Sequence, residues 1–197
     1  MSSNKTVSAP RPRGDALRQA VVEAAERLLR QERAEFSMRD LATEARVSFA
    51  TPFNQFGSKA AIMRALSDRR IDTMEARLRA APPPGDAASR VLAATEIAAA
   101  VMLEEPAVNR AVMGWLGAPG PGGVWTRSAA FWRLAVADAD GLGAPERAVR
   151  DLPPLLAFGF RGVLSFWTAG DLADAALAGH ARDMARALLN GYGWDGG

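Results

Sequence analysis

Apolar residues recur at helical spacing along most of the chain. In "DALRQAVVEAAERLLRQE", Leu17, Val21, Ala25, Leu28 and Leu29 share one stripe, the mark of an amphipathic helix. Asp15, at its head, is a residue type that caps helix N-termini. Two short elements follow. Ser37 and Asp40 have the spacing of a capping box and open a helix from Met38 to Ala45. Ser48 opens a second, ending near Phe56, where Gly57 suits a left-handed C-terminal position. Ser58 then caps a longer helix predicted to reach about Ala81, and "PPPG" at 82–85 breaks the chain. Between Asp86 and Leu103 only Arg90 and Glu96 are charged, so that helix is predicted to be buried on most sides. No alternating pattern of useful length predicts a strand, and no segment repeats. The pattern is that of an all-α chain.

Its organisation follows from the same pattern. Residues 1–14, with Ser, Pro, Lys5, Arg11 and Arg13, read as a flexible basic tail. Residues 15–60 hold one longer and two short helices, 61–81 a connecting helix, and 86–197 the remaining helical part. "GAPGPGG" at 117–123 is no phosphate loop, because no Gly-Lys-Ser/Thr follows; it reads as a mobile linker.

Composition narrows the chemistry. The 197 residues contain no Cys and one His, His180, which removes disulfides, thiolate sites and most histidine-based catalysis or zinc binding. No catalytic motif, cofactor motif or metal cluster emerges, and an enzyme is not expected. The N-terminus shows no apolar signal core, and the most apolar run, "PPLLAFGFRGVLSFW", is too short for a membrane span and carries Arg161. A cytoplasmic chain without a membrane partner is the expectation. Charge changes the picture more. Residues 1–80 carry 15 Lys/Arg against 10 Asp/Glu, a surplus of +5, whereas 81–197 carry 9 against 12, or −3. A polyanion partner is therefore expected for the first part alone.

Two short helices three residues apart, after a longer one, have helix-turn-helix spacing. Leu41, Ala42, Ala45, Val47 and Phe56 would hold them at a steep angle, leaving Phe49, Ala50, Thr51, Asn54 and Gln55 for a partner. Small side chains permit close approach to duplex DNA, Thr and Phe can touch thymine methyls, and amides can read base edges or phosphates. From Arg46 to Ala61 there is no acidic residue to repel phosphate. The same spacing also fits an αα-corner in a helical core, so spacing alone does not decide. Pro52 complicates the second helix. It lacks the N–H that would bond the Ser48 carbonyl, and it disfavours helical angles at Thr51. One register starts the helix at Ser48 with a distorted first turn, so that Phe53 and Phe56 both reach the core. Another makes Thr51 the N-cap and Pro52 the first helical residue. The first register is preferred.

The stretch "FSMRDLATEARVSFATPFNQFGSKAAIMRAL" resembles the DNA-binding segment of the TetR family of one-component transcriptional regulators. Asp40-Leu41-Ala42, Ala45, Val47-Ser48, Thr51, Phe56 and Ser58-Lys59 fall in register with it. The resemblance implies an N-terminal three-helix DNA-binding domain and a C-terminal helical domain for ligand binding and dimerisation. It implies a homodimer on a palindromic double-stranded operator, most commonly a repressor released by a small-molecule effector. By residue, it implies that Arg39 reaches DNA, that Ser48 and Thr51 donate hydroxyls to phosphate, and that Lys59 clamps a phosphate at a helix N-terminus. Phe49 and Ala50 occupy variable, base-touching positions. Three departures stand out. Phe53 replaces a usual Tyr, Gln55 a common His or Tyr, and Arg46 the usual turn Gly.

In the second part, Met102, Met113, Trp115, Trp125, Phe131, Trp132 and Phe158 form an apolar core or, in part, an effector cavity. Glu96 and Arg161 are lone charges in apolar stretches and so are candidate lining residues. Glu96 points to an apolar or cationic aromatic effector. Gly159 and Gly162 permit close helix approach beside Phe166. Leu177, Ala181, Met184 and Leu188, with His180 beside them, form a stripe for a four-helix dimer interface or for the chain's own core. A helical interaction module with a vestigial helix-turn-helix, or a helical enzyme, remains as the alternative to a regulator.

Overall fold

The computed structural model describes residues 13–31, 36–116, 123–137 and 146–193. Most of the expected tail, residues 1–12, and most of the expected linker, 117–122, lie outside the described residues. The elements are helices α1 (Arg13–Arg30), α2 (Met38–Glu44), α3 (Ala50–Phe56), α4 (Lys59–Ala80), α5 (Ala87–Glu104), α6 (Pro106–Trp115), α7 (Val124–Ala137), α8 (Glu146–Ala169) and α9 (Asp174–Asn190). No strand occurs among the described residues, and no helix there is long and apolar enough to cross a membrane. Two compact units divide the chain, Met1–Ile62 and Met63–Gly197.

In the first unit, α1 buries Val21, Val22, Ala24, Ala25, Leu28 and Leu29. Asp15, expected as its cap, instead lies within the first turn, where a carboxylate still favours the helix dipole. Ser37 caps α2 as the pattern predicts: Asp40 N–H donates to Ser37 Oγ at 3.1 Å, and Ser37 N–H donates to Asp40 Oδ2 at 2.8 Å. Two α1 arginines then hold the ends of both short helices. Arg18 Nη1 donates to the Gln55 carbonyl at 2.8 Å, and Arg27 Nη2 donates to the Glu44 carbonyl at 3.2 Å. Cations at these C-terminal carbonyls meet both unpaired acceptors and the negative end of the dipole.

The second unit packs α5 against α7 and α9, and α8 against α6, α7 and α9. As expected, α5 is buried along most of its length, and Asp86 caps it by accepting the Ser89 N–H at 2.8 Å. The largest core side chains are Trp132 and Trp167, both essentially inaccessible. Buried Asn109 is fully used: Nδ2 donates to the Val101 and Met102 carbonyls at 3.2 and 2.9 Å, while Oδ1 accepts from Arg70 Nε at 2.8 Å. Helix α8 runs through Pro153 and Pro154, which cannot donate to the carbonyls of Val149 and Arg150. Both of those residues are exposed, so water can take the place of the missing donors.

Candidate nucleic-acid interface

The turn between α2 and α3 is built by backbone hydrogen bonding. Arg46 N–H donates to the Thr43 carbonyl at 3.1 Å and Val47 N–H to the Ala42 carbonyl at 3.0 Å, the paired bonds of a Schellman motif. Such a motif needs a left-handed residue, and Arg46 has φ 55°. A non-glycine residue there costs about 1–2 kcal/mol. The Arg46 side chain is exposed, ahead of the start of α3.

Pro52 explains how α3 begins. The Ser48 carbonyl, deprived of a proline N–H, accepts the Thr51 N–H at 2.9 Å, a tighter turn than an α-helix makes. Phe49 already has helical angles, φ −53° and ψ −35°. The helix proper therefore begins at Ala50 with Phe49 as its N-cap, one residue past the expected Ser48 cap and ahead of the Thr51 alternative, and Thr51 stays helical despite the following proline. One expectation fails. Pro52, not Phe53, is the buried residue of α3, with Phe56 one turn on beneath the Arg18 guanidinium at 4.1 Å. Positions 52 and 56 share a face, so Phe53 is turned outward and is 43% exposed.

The outward face then assembles itself at helical spacing. Phe49 and Phe53 meet edge to face at 5.6 Å between centroids, and the Arg39 guanidinium of α2 stands over the Phe49 ring at 5.5 Å. Ala50 and Asn54 are exposed beside them, while Thr51 and Gln55 are half-buried. The hydroxyls of Ser48 and Thr51 hydrogen-bond to each other at 2.8 Å. Two hydroxyls that share one bond keep one O–H for an outside acceptor. Gly57, at φ 74°, ends the helix as the sequence predicts. Ser58 Oγ accepts the Ala61 N–H at 3.2 Å and opens α4.

Lys59 has a role the sequence reading missed. Its ammonium donates to the Phe36 carbonyl at 3.0 Å and lies 4.2 Å from the Phe36 ring centre, which ties the segment before α2 to the start of α4. The lone aromatic at position 36 ahead of a capping box was the available signal.

In the second unit, a largely apolar cavity of about 70 Å³ opens among α4, α5, α6, α7 and α8. Met102, Met113, Phe131, Trp132 and Arg161 line it. Four other sequence candidates do not. Glu96 is exposed and paired with Arg182 at 2.5 Å. Trp125 and Phe158 stack on each other at 6.0 Å with more than half their surface exposed, and Trp115 lies outside the lining. The stripe expected at a dimer interface is also relocated. Leu177 and Ala181 are fully buried inside the chain, and Met184 and Leu188 pack against the same core. A Cβ at Gly159 would fall 2.5 Å from Met184 Sδ, so that glycine serves packing between α8 and α9. Phe166 and His180 remain exposed, and Gly162 faces open space. The lone charges and apolar stripes were visible in sequence; which of them faced inward depended on tertiary packing.

No protein-family model and no curated protein matches the chain. Solved structures do. The chain is similar to a TetR transcriptional regulator from Rhodococcus sp. RHA1, with TM-score 0.72 and 21% identity over 89% of this chain and 97% of that one. It is also similar to a structure assigned to the TetR family of transcriptional regulators from Mesorhizobium loti, with TM-score 0.57 and 17% identity over 92% of this chain and 99% of that one. The fold of this chain is that of the TetR-family regulators, an all-α helix-turn-helix unit followed by a helical C-terminal unit.

Proposed function

We propose that this chain is a ligand-responsive transcriptional regulator that binds a palindromic duplex operator as a homodimer, and that it acts as a repressor released by a small molecule. The observation that carries the reading is the outward face of α3. Phe49, Ala50, Phe53 and Asn54 are exposed there with Arg39 over the aromatic pair. Two phenylalanines left exposed side by side on a seven-residue helix form an apolar patch that suits a partner better than solvent. A major groove offers thymine methyls and base edges to such a face, and phosphates to Arg39, Arg46 and the Ser48–Thr51 pair. Gln55 and Lys59 flank this surface and would position it; the Lys59 ammonium would have to share its Phe36 bond with a phosphate.

Dimerisation is assigned to the outer stripe of α8. Leu155, Phe158, Gly162 and Phe166 recur there at spacings of three and four, and the three side chains are exposed. A second copy seated on this stripe would bury them. The small-molecule role falls to the cavity of the second unit.

The test is duplex binding by the purified chain and by Arg39→Ala and Phe49→Ala. Both variants should bind genomic fragments more weakly while melting like the parent. Unchanged affinity in both would remove α3 from the interface.

A further inference from the structure

The walls of the cavity are unequal in charge. Two arginines reach it, Arg70 and Arg161, while no Asp or Glu lines it. Arg70 is satisfied: Nη2 donates to Glu105 Oε2 at 3.1 Å and Nε to Asn109 Oδ1 at 2.8 Å. Arg161 is not. It is half-buried, and its contact is Nη1 to Met113 Sδ at 3.4 Å, a thioether that accepts weakly. No described carboxylate forms an ion pair with it, and burial pulls its guanidinium below the ordinary arginine range with no opposing charge. Arginine nonetheless stays protonated, so the wall keeps a positive charge that lacks a counter-ion. The Trp132 ring forms part of the wall, and its buried indole N–H has no acceptor among the described residues.

An apolar wall with one guanidinium that lacks a carboxylate partner and no acidic group is built for one class of guest. We propose that this cavity binds a small apolar molecule carrying a single carboxylate, with the Arg161 guanidinium as the group that holds the anion. The planar fork of arginine matches a carboxylate with two parallel hydrogen bonds. Met102, Phe131 and Trp132 would enclose the apolar body. A volume of about 70 Å³, less than half of the roughly 150 Å³ that takes up benzene, fits a short chain as it stands and takes a ring only if the wall gives way. The cationic aromatic effector anticipated from Glu96 is thereby replaced. Glu96 stands outside the cavity beside Arg182, and the charge that does face the cavity is positive.

The inference rests on the sensing role proposed above only for its effect on DNA. It is tested on the full chain by titrating butyrate and benzoate against two ring analogues of benzoate, neutral benzyl alcohol and cationic benzamidine. Calorimetry and Trp fluorescence report binding, and duplex affinity is measured in the same samples. At least one acid should bind saturably. Benzoate should exceed benzyl alcohol by about tenfold or more, the scale of one charge-assisted hydrogen bond, and benzamidine should not bind. Arg161→Met should lose that preference, and Arg161→Lys should keep part of it. Should the methionine variant fail to fold by circular dichroism, the analogue series on the parent chain decides. Equal binding of acid and alcohol, preference for the amidine, or no saturable binding of either acid overturns the proposal. Acid binding that leaves duplex affinity unchanged upholds the site and removes only the sensing role.

Discussion

Arg46 carries two opposed demands on one side chain. Its backbone holds φ 55° in a turn that glycine would satisfy without strain, while its guanidinium stands exposed beside α3. Arg46→Gly is therefore expected to stabilise the chain by about 1 kcal/mol, measured by urea unfolding. The same variant should bind all duplexes more weakly, with a salt slope shallower by about 0.9 if one phosphate contact is lost. Stability gained with no change in slope would mean that the arginine contacts no phosphate. Phe49 makes a different expectation. Phe49→Ala should alter preference at one or two base pairs of each half-site by about 1–3 kcal/mol. A uniform loss over every sequence would instead make the ring a packing support for Arg39. The left-handed Arg46 was legible only through the family resemblance, in which glycine is usual at that turn position. The burial of Pro52 in place of Phe53 could not, because it depends on the phase at which α3 meets α1.

At the scale of elements, caps were the most legible feature. Ser37 and Ser58 each begin a helix where their side chains suggested, since capping is a local contest between a hydroxyl or carboxylate and water, whereas Asp15 falls inside the first turn of α1 and Ser48 makes no cap bond to α3. Asp86 gives a test of this. The Ser89 backbone N–H, then its hydroxyl, holds the Asp86 carboxyl below its ordinary value. A depressed folded-state pKa adds stability that is complete above the unfolded value and is lost as pH falls through the folded one. Asp86→Ala should cost about 1 kcal/mol at neutral pH by denaturant titration. The gap between parent and variant should close in acid, and a gap that persists there would assign the cost to something other than the ionised cap. The start of α8 was less legible. Two adjacent prolines look like a terminus, yet the helix continues through them because the freed carbonyls face solvent. The α9 stripe was visible too, but periodicity gives the existence of a buried face and not its partner. Leu177 and Ala181 turned out to face the chain's own core.

For the whole molecule, the expectations concern assembly and the duplex. The exposed α8 stripe offers Phe158 and Phe166, each 58% exposed, to a second copy. Phe166→Glu should shift the chain from dimer to monomer in sedimentation velocity and weaken duplex binding, since one reading head replaces two. An unchanged sedimentation coefficient would move the interface elsewhere. The charge split between the first 80 residues and the rest, +5 against −3, agrees with a polyanion partner for the first part. The central claim is that α3 reads duplex DNA in symmetric pairs, and it is tested most directly by selection from random duplexes with the purified chain, followed by footprinting of what is recovered. The expected result is a palindrome whose two protected half-sites centre about 10–10.5 base pairs apart, or a multiple of that spacing. Recovery of no enriched sequence, with no footprint at low salt, would contradict the claim.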